Sequence, residues 1–223
     1  HAISAKHRTG IRELIDEIID RIPTGQPVEK DADEIVCSII GRPNVGKSSL
    51  INRLVGQERF MVSEKAGTTR DPVDTLMRYH GQAIRFIDTA GIRRKSSLGY
   101  TLERFCDLMS LKSINKSALC ILMIDASDGV TTYDARLAAQ IYERSRACIV
   151  AVNKWDLLEK QDKSYEHFIK EVRAKLAFID YAPIVALSAL TGQRVRNILD
   201  MILDIGKRYR LRIATAEVNK AIE

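Results

Sequence analysis

Ile35-Val36-Cys37-Ser38-Ile39-Ile40-Gly41-Arg42-Pro43-Asn44-Val45-Gly46-Lys47-Ser48 is the stretch on which the fold turns. A largely apolar run stops at Gly41, and the spacing G-x-x-x-x-G-K-S follows it. This is the pattern of a P-loop, whose glycines let the backbone curl so that successive N–H groups point inward at phosphate oxygens. The pattern assigns Asn44, Val45, Gly46, Lys47 and Ser48 to a nucleotide site. Lys47 would reach the β- and γ-phosphates. Ser48 opens a helix through Leu50, Ile51 and Leu54, where its hydroxyl would hold magnesium and the helix N-terminus would favour anionic charge. The structural alternative is a glycine-rich turn between a buried strand and a helix, but strand before and helix after are the context a P-loop requires.

Outward from this loop, the pattern alternates. Two short strands are expected over 75–79 and 83–87, joined by His80-Gly81-Gln82 as a hairpin turn. Helices over 101–115, 132–145, 162–178 and 193–207 alternate with strands over 118–125, 147–153 and 183–187. The alternation predicts an α/β fold with a mostly parallel six-stranded sheet and helices on both faces. Ligands in such sheets bind at the carboxyl ends of the strands. The polar stretch 62–72, between the first helix and the second strand, has neither a helical nor a strand period.

The 223 residues suffice for one α/β domain with flanking pieces. Hydrophobic residues make up 45% and charged residues 29%, ordinary values for a globular chain, and the longest apolar run, 118–124, is too short to cross a membrane. No secretory leader is visible at His1, so the expectation is a cut fragment of a cytoplasmic protein with no membrane partner. Cys37, Cys106, Cys120 and Cys148 lack a C-x-x-C spacing, and neither a disulfide nor zinc is expected. The net charge of +6 leans weakly towards nucleic acid.

The first segment carries an apolar stripe, Ile11, Leu14, Ile15, Ile18 and Ile19, at helical spacing. Ser4-Ala5 ahead of it is echoed by Ser188-Ala189 ahead of Val195, Ile198, Leu199, Ile202 and Leu203, and the same offset superposes Arg12 on Arg196 and Asp16 on Asp200. This register suggests a repeated domain, with residues 1–22 the remnant of an upstream copy; an ordinary N-terminal helix is the alternative. Residues 23–33, with two prolines and a glycine, read as a linker, and the main domain is placed at 34–207.

Three further strand ends carry chemistry. Asp88, followed by Thr89-Ala90-Gly91, would hold magnesium, with the Gly91 N–H left for a γ-phosphate; a strand-terminal Asp in a turn is the alternative. Asn153-Lys154-Trp155-Asp156 supplies a base reader. The Asp156 carboxylate can accept from guanine N1–H and N2–H₂, whereas adenine presents an acceptor at N1. The Lys154 stem can cover one face of the base, and the Asn153 amide can tie its loop to the P-loop. Ser188-Ala189 can offer a backbone N–H to guanine O6.

Together these motifs resemble the translation-factor-type P-loop GTPases, a three-layer Ras-like fold, whose five motifs match Gly41 to Ser48, Thr69, Asp88 to Gly91, Asn153 to Asp156 and Ser188 to Leu190. The longer stretches Gly41 to Asn52, Ala66 to Asp71 and Asp88 to Lys95 are similar to the second GTPase domain of the bacterial ribosome-assembly family EngA, or Der. That resemblance implies GTP/GDP as ligand, Ser49 and Leu190 among the nucleotide contacts, an adjacent GTPase domain and a KH-like domain beginning at 208–223. Ribosomal RNA or a ribosomal subunit would be the partner, in large-subunit assembly.

The resemblance also implies catalytic roles for Lys47, Asn44, Thr69 and Gly91. Thr69 is the expected switch ligand to magnesium, with Thr68 beside it as the alternative. Ile92 stands where Ras-like enzymes place a water-orienting Gln. Relatives with that replacement and an Asn at the position of Asn44 use potassium, so Asn44 is expected to ligate K⁺; the alternative is that it caps the P-loop turn. A guanine-nucleotide-sensing module with little turnover, and a tRNA-modification GTPase of the same subfamily, are the rival functions. The basic runs Arg93-Arg94-Lys95 and Lys207 to Arg212 are RNA contacts or solvated surface.

Overall fold

The computed structural model describes residues 34–56, 74–89, 102–158 and 165–209, with side chains from 108 in the third segment. They belong to the second of the chain's two compact units, which begins at Glu34. In chain order the elements are β1 Ile35–Ile40, α1 Lys47–Val55, β2 Thr75–Tyr79, β3 Gln82–Phe86, α2 Leu102–Lys116, β4 Leu119–Asp125, α3 Thr132–Glu143, β5 Ala147–Asn153, α4 Tyr165–Lys175, β6 Ile184–Ala186 and α5 Val195–Tyr209. Short 3₁₀ turns follow β5 at Trp155–Leu157 and α4 at Ala177–Ile179.

The six strands form one sheet in the order β2-β3-β1-β4-β5-β6. β2 pairs antiparallel with β3, and all other neighbours are parallel. The β2–β3 turn is tighter than the sequence reading: Gln82 pairs with Tyr79, which leaves a two-residue turn at His80 and Gly81. Both have positive φ, 48° and 80°, the left-handed pair that matches the twist of a hairpin. Strand β3 accordingly starts one residue earlier than expected.

Because both faces of the sheet are covered, β4 is apolar from Leu119 to Ile124, and its side chains simply alternate between two cores. Leu119, Ile121 and Met123 join Leu50, Ile51 and Leu54 of α1 and Val195, Ile198, Leu199 and Ile202 of α5. Cys120, Leu122 and Ile124 join Ile114 of α2, Leu137 and Ile141 of α3 and Phe168 and Val172 of α4. Full burial of each such aliphatic side chain contributes roughly 1.5–3 kcal/mol. The thiols of Cys37, Cys120 and Cys148 lie in these cores, and burial pushes all three pKa values up. Among the described residues no helix is long and apolar enough to cross a membrane.

At the end of the sheet where β1 begins, α5 comes close: a Cβ on Gly206 would collide with the Ile35 side chain. Glu34 forks onto Arg85 of β3 at 2.8 and 3.1 Å, fixing the start of β1. At the other end, Asp125 and Asn153 share a register, as do Val152 and Ala186, so the loops after β4, β5 and β6 leave the sheet side by side.

Candidate functional site

The loop after β1 needs its glycines for space. A Cβ on Gly41 would stand 2.5 Å from the Met123 carbonyl oxygen, and one on Gly46 would run into Nδ2 of Asn153. Asn44 and Gly46 have φ of 65° and 99°, so the chain turns twice through the left-handed region. Successive turns of this kind gather N–H groups into an anion-binding concavity. The Lys47 ammonium curls back over the loop, donating to the carbonyls of Gly41 at 2.7 Å and Arg42 at 2.6 Å. α1 starts at Lys47 and has no acidic residue in its first turn, so its N-terminal partial positive charge is not cancelled locally. Ser48 is half-buried in that turn, while Ser49 and Asn44 are exposed.

The Asn153 side chain joins three loops. Its Nδ2 donates to the Val45 carbonyl at 2.7 Å, and its Oδ1 accepts from the Ala189 N–H at 2.9 Å. The first of these bonds is the tie to the P-loop expected of the Asn153 amide. The second engages the donor expected to meet guanine O6, and the Ser188 N–H is also engaged, on the Gln193 carbonyl. Ser188 is fully buried, with its Oγ accepting from the Thr191 N–H. Leu190 is exposed at the tip.

After β5 the chain passes through Lys154, whose φ is 63°, into the turn carrying Asp156. Asp156 is exposed and has no hydrogen-bond partner among the described residues. Its turn is held by the Trp155 N–H on the Leu187 carbonyl at 3.1 Å and by the indole packed edge-on against Tyr165 and Phe168. Lys154 reaches Asp125 at 2.5 Å. Burial alone would raise the Asp125 pKa, but the Lys154 and Ser127 hydrogen bonds and the Lys154 charge outweigh it and leave the carboxyl below its ordinary range.

Asp88, just past β3, has φ 59°. Its N–H donates to Asp74 at 3.1 Å, and its Oδ2 accepts from Ser113 of α2 at 3.0 Å. The Thr89 and Thr75 hydroxyls share a buried hydrogen bond at 3.0 Å. Thr69 and Gly91, like Thr68 and Ile92, lie outside the described residues.

Several supporting side chains escaped the sequence reading. Arg42 spans from the P-loop to the start of α3, with Nε 3.2 Å from the fully buried Asp134 and Nη1 3.2 Å from Asp128. Asp134 also closes the α3 capping box with Thr131. Arg53, Ser113 and Asp125 hold the base loop, Asp88 and Lys154 respectively. Apart from the local capping box of Asp134, these contacts have no sequence motif, because they join residues at least 25 positions apart.

Residues 36–154 match the family model described as 50S ribosome-binding GTPase. Over 222 residues the chain is 48% identical to a GTPase Der of Synechococcus sp. (strain JA-3-3Ab), covering 99% of this chain and 48% of that one. It is 44% identical over 223 residues to GTPase Der of Prochlorococcus marinus (strain MIT 9515), covering 100% and 49%. The chain thus spans about half the length of the curated relatives it matches. Among solved structures it resembles Era in complex with MgGDPNP and nucleotides 1506–1542 of 16S ribosomal RNA, with a TM-score of 0.58 at 30% identity, covering 77% of this chain and 56% of that one.

Proposed function

Because this chain belongs to the 50S ribosome-binding GTPase family, we propose that residues 34–207 are a switch domain that binds GTP and hydrolyses it to GDP and phosphate. The observation that carries the proposal is the Asn153 amide, which opens the base-reading segment ending at Asp156 and fastens the P-loop at Val45 to the loop at Ala189. A phosphate site and a guanine-selective carboxylate are thereby held in one register.

Lys47, now on two carbonyls of its own loop, is a charged donor able to exchange them for β- and γ-phosphate oxygens. The loop N–H groups and the α1 N-terminus supply further positive potential. Hydrolysis by water attack on the γ-phosphate depends mainly on such positioning and charge stabilisation. Ser48 and Asp88 present hard oxygen donors of the kind magnesium takes, with Thr69 as the third ligand, and the bound ion would neutralise charge on the β- and γ-phosphates. The exposed Asn44 amide offers an oxygen of the kind potassium accepts, and Gly91 offers its N–H to the γ-phosphate. Ser49 and Leu190 complete the nucleotide contacts.

We assign the domain to the second of two tandem GTPase units in a factor for large ribosomal subunit assembly, with ribosomal RNA and the adjacent GTPase and KH-like domains as partners. Whole-chain alignment with GTPase Der relatives supports this, since the chain fills only half of each. The rRNA fragment bound to Era, a protein of similar fold, points the same way.

The test is GTP hydrolysis with magnesium in potassium and in sodium, by the wild type and by Asn44→Ala. The rate should rise in potassium, and the variant should lose that rise. Equal rates in the two salts would remove potassium from the mechanism. Guanine-nucleotide binding with no turnover in either salt would favour a sensing module, and failure to bind GDP at all would overturn the reading.

A further inference from the structure

Arg53, in the last turn of α1, reaches across 136 residues of sequence to the loop after β6. Its Nε donates to the Ala189 carbonyl at 3.3 Å and its Nη2 to the Leu190 carbonyl. The guanidinium lies close under the loop, since a Cβ on Gly192 would sit 3.6 Å from it. The N–H groups of Leu187, Ser188, Ala189, Thr191, Gly192 and Gln193 all have acceptors. That of Leu190 has none among the described residues.

The Ala189 carbonyl and the Leu190 N–H belong to one peptide group. That group is planar and trans, so the two bonds point in opposite directions. An arginine that draws the carbonyl towards α1 therefore turns the uncommitted N–H away from α1. Because a second donor of the same rigid fork holds the next carbonyl, the peptide cannot swing about one contact.

We propose that Arg53 is a positioning residue for base recognition, aiming the Leu190 N–H at O6 of guanine. The inference rests on the guanine-nucleotide reading above. Beside the Ala189 N–H, which Asn153 holds, it gives O6 a donor from Leu190 that no acceptor among the described residues engages. A residue that merely braced the loop would support every purine nucleotide alike. One that aims a single donor affects only the contact at position 6 of the base.

The experiment measures the affinities of this chain for GDP, 6-thio-GDP and IDP, in wild type, Arg53→Ala and Arg53→Lys, with thermal melts as a check on folding. 6-Thio-GDP keeps N1–H and the 2-amino group but carries a weaker acceptor at position 6, whereas IDP keeps O6 and lacks the 2-amino group. Wild type should prefer GDP over 6-thio-GDP, and Arg53→Ala should weaken GDP by about three- to tenfold, the loss expected for one hydrogen bond. The variant's preference for GDP over 6-thio-GDP should shrink towards unity, while its preference for GDP over IDP should stay as in wild type. Arg53→Lys should recover part of the lost affinity through its remaining donor. Equal losses for all three nucleotides, or no loss for GDP, would overturn the proposal and leave Arg53 a structural brace. A wild type that binds none of the three would instead overturn the nucleotide reading, and this inference with it.

Discussion

Replacing Asn153 with Ala removes one side chain and leaves two buried groups without partners, the Val45 carbonyl and the Ala189 N–H. Asn153 is 3% exposed, so water does not readily replace the amide. Each stranded group costs about 1–3 kcal/mol, and with partial relaxation we expect a total of about 2–4 kcal/mol. For a domain of this size that lowers Tm by about 5–12 °C. The binding loss should be at least about tenfold for GDP, equivalent to about 1.4 kcal/mol, because the phosphate and base loops lose their common anchor. Asn153→Asp sharpens the test. Its carboxylate still accepts from Ala189 but places a second oxygen against the Val45 carbonyl, so the folded state raises the pKa of the introduced acid. The variant should be least stable near pH 7 and should recover relative to wild type as pH falls through that raised pKa and an O–H becomes available to the carbonyl. Urea unfolding across pH and calorimetric GDP titration measure both effects. A Tm for Asn153→Ala within roughly 2 °C of wild type, with unchanged GDP affinity, would refute the idea that this amide holds the site together.

Gly206→Ala should destabilise by about 1–3 kcal/mol through overpacking against Ile35, despite the better helix propensity of Ala. Adding Ile35→Val, which removes the Cδ1 that the new methyl strikes, should restore much of the loss in thermal melts; independent, additive losses would count against the contact. For Asp125, the folded-state pKa lies below the unfolded value, so its contribution to stability is present above the unfolded pKa and disappears as pH falls through the folded one. Asp125→Asn should therefore lower stability at and above neutral pH and bring variant and wild type together at low pH, so that the variant's curve falls less steeply on the acid side, as read by urea denaturation across pH.

What the sequence made legible was whatever local spacing dictates. Gly41 to Ser48 announces both a strand end and a helix start, and the alternation of apolar runs with amphipathic stretches sets out the parallel sheet. The strand ends Asp88, Asn153 and Ser188 stand out because a polar residue follows a buried run. Arg53 had no such signal. It looks like any basic residue in a last helical turn, and its partners become visible only when α1 and the β6–α5 loop are brought together. Ser113 and Asp125 were hidden for the same reason. No local spacing announces that Asn153 has two ends: the same amide that ties the P-loop also accepts from the Ala189 N–H. Hairpin length was misjudged by one residue because His80 adopts a left-handed conformation more commonly left to Gly or Asn.

The close approach of Gly206 to Ile35 also bears on how the domain can be built into a longer chain. The domain begins at Glu34 and α5 ends at Tyr209, and both residues line one small cavity together with Ala118 and Leu119. Entry and exit are neighbours, while the phosphate loop lies a strand's length away, about 20 Å for six residues. The domain is thus a cassette whose covalent attachments share one doorway at the pole remote from its chemistry. Any message from the nucleotide must travel the length of the sheet, or leave through the loops at the opposite pole.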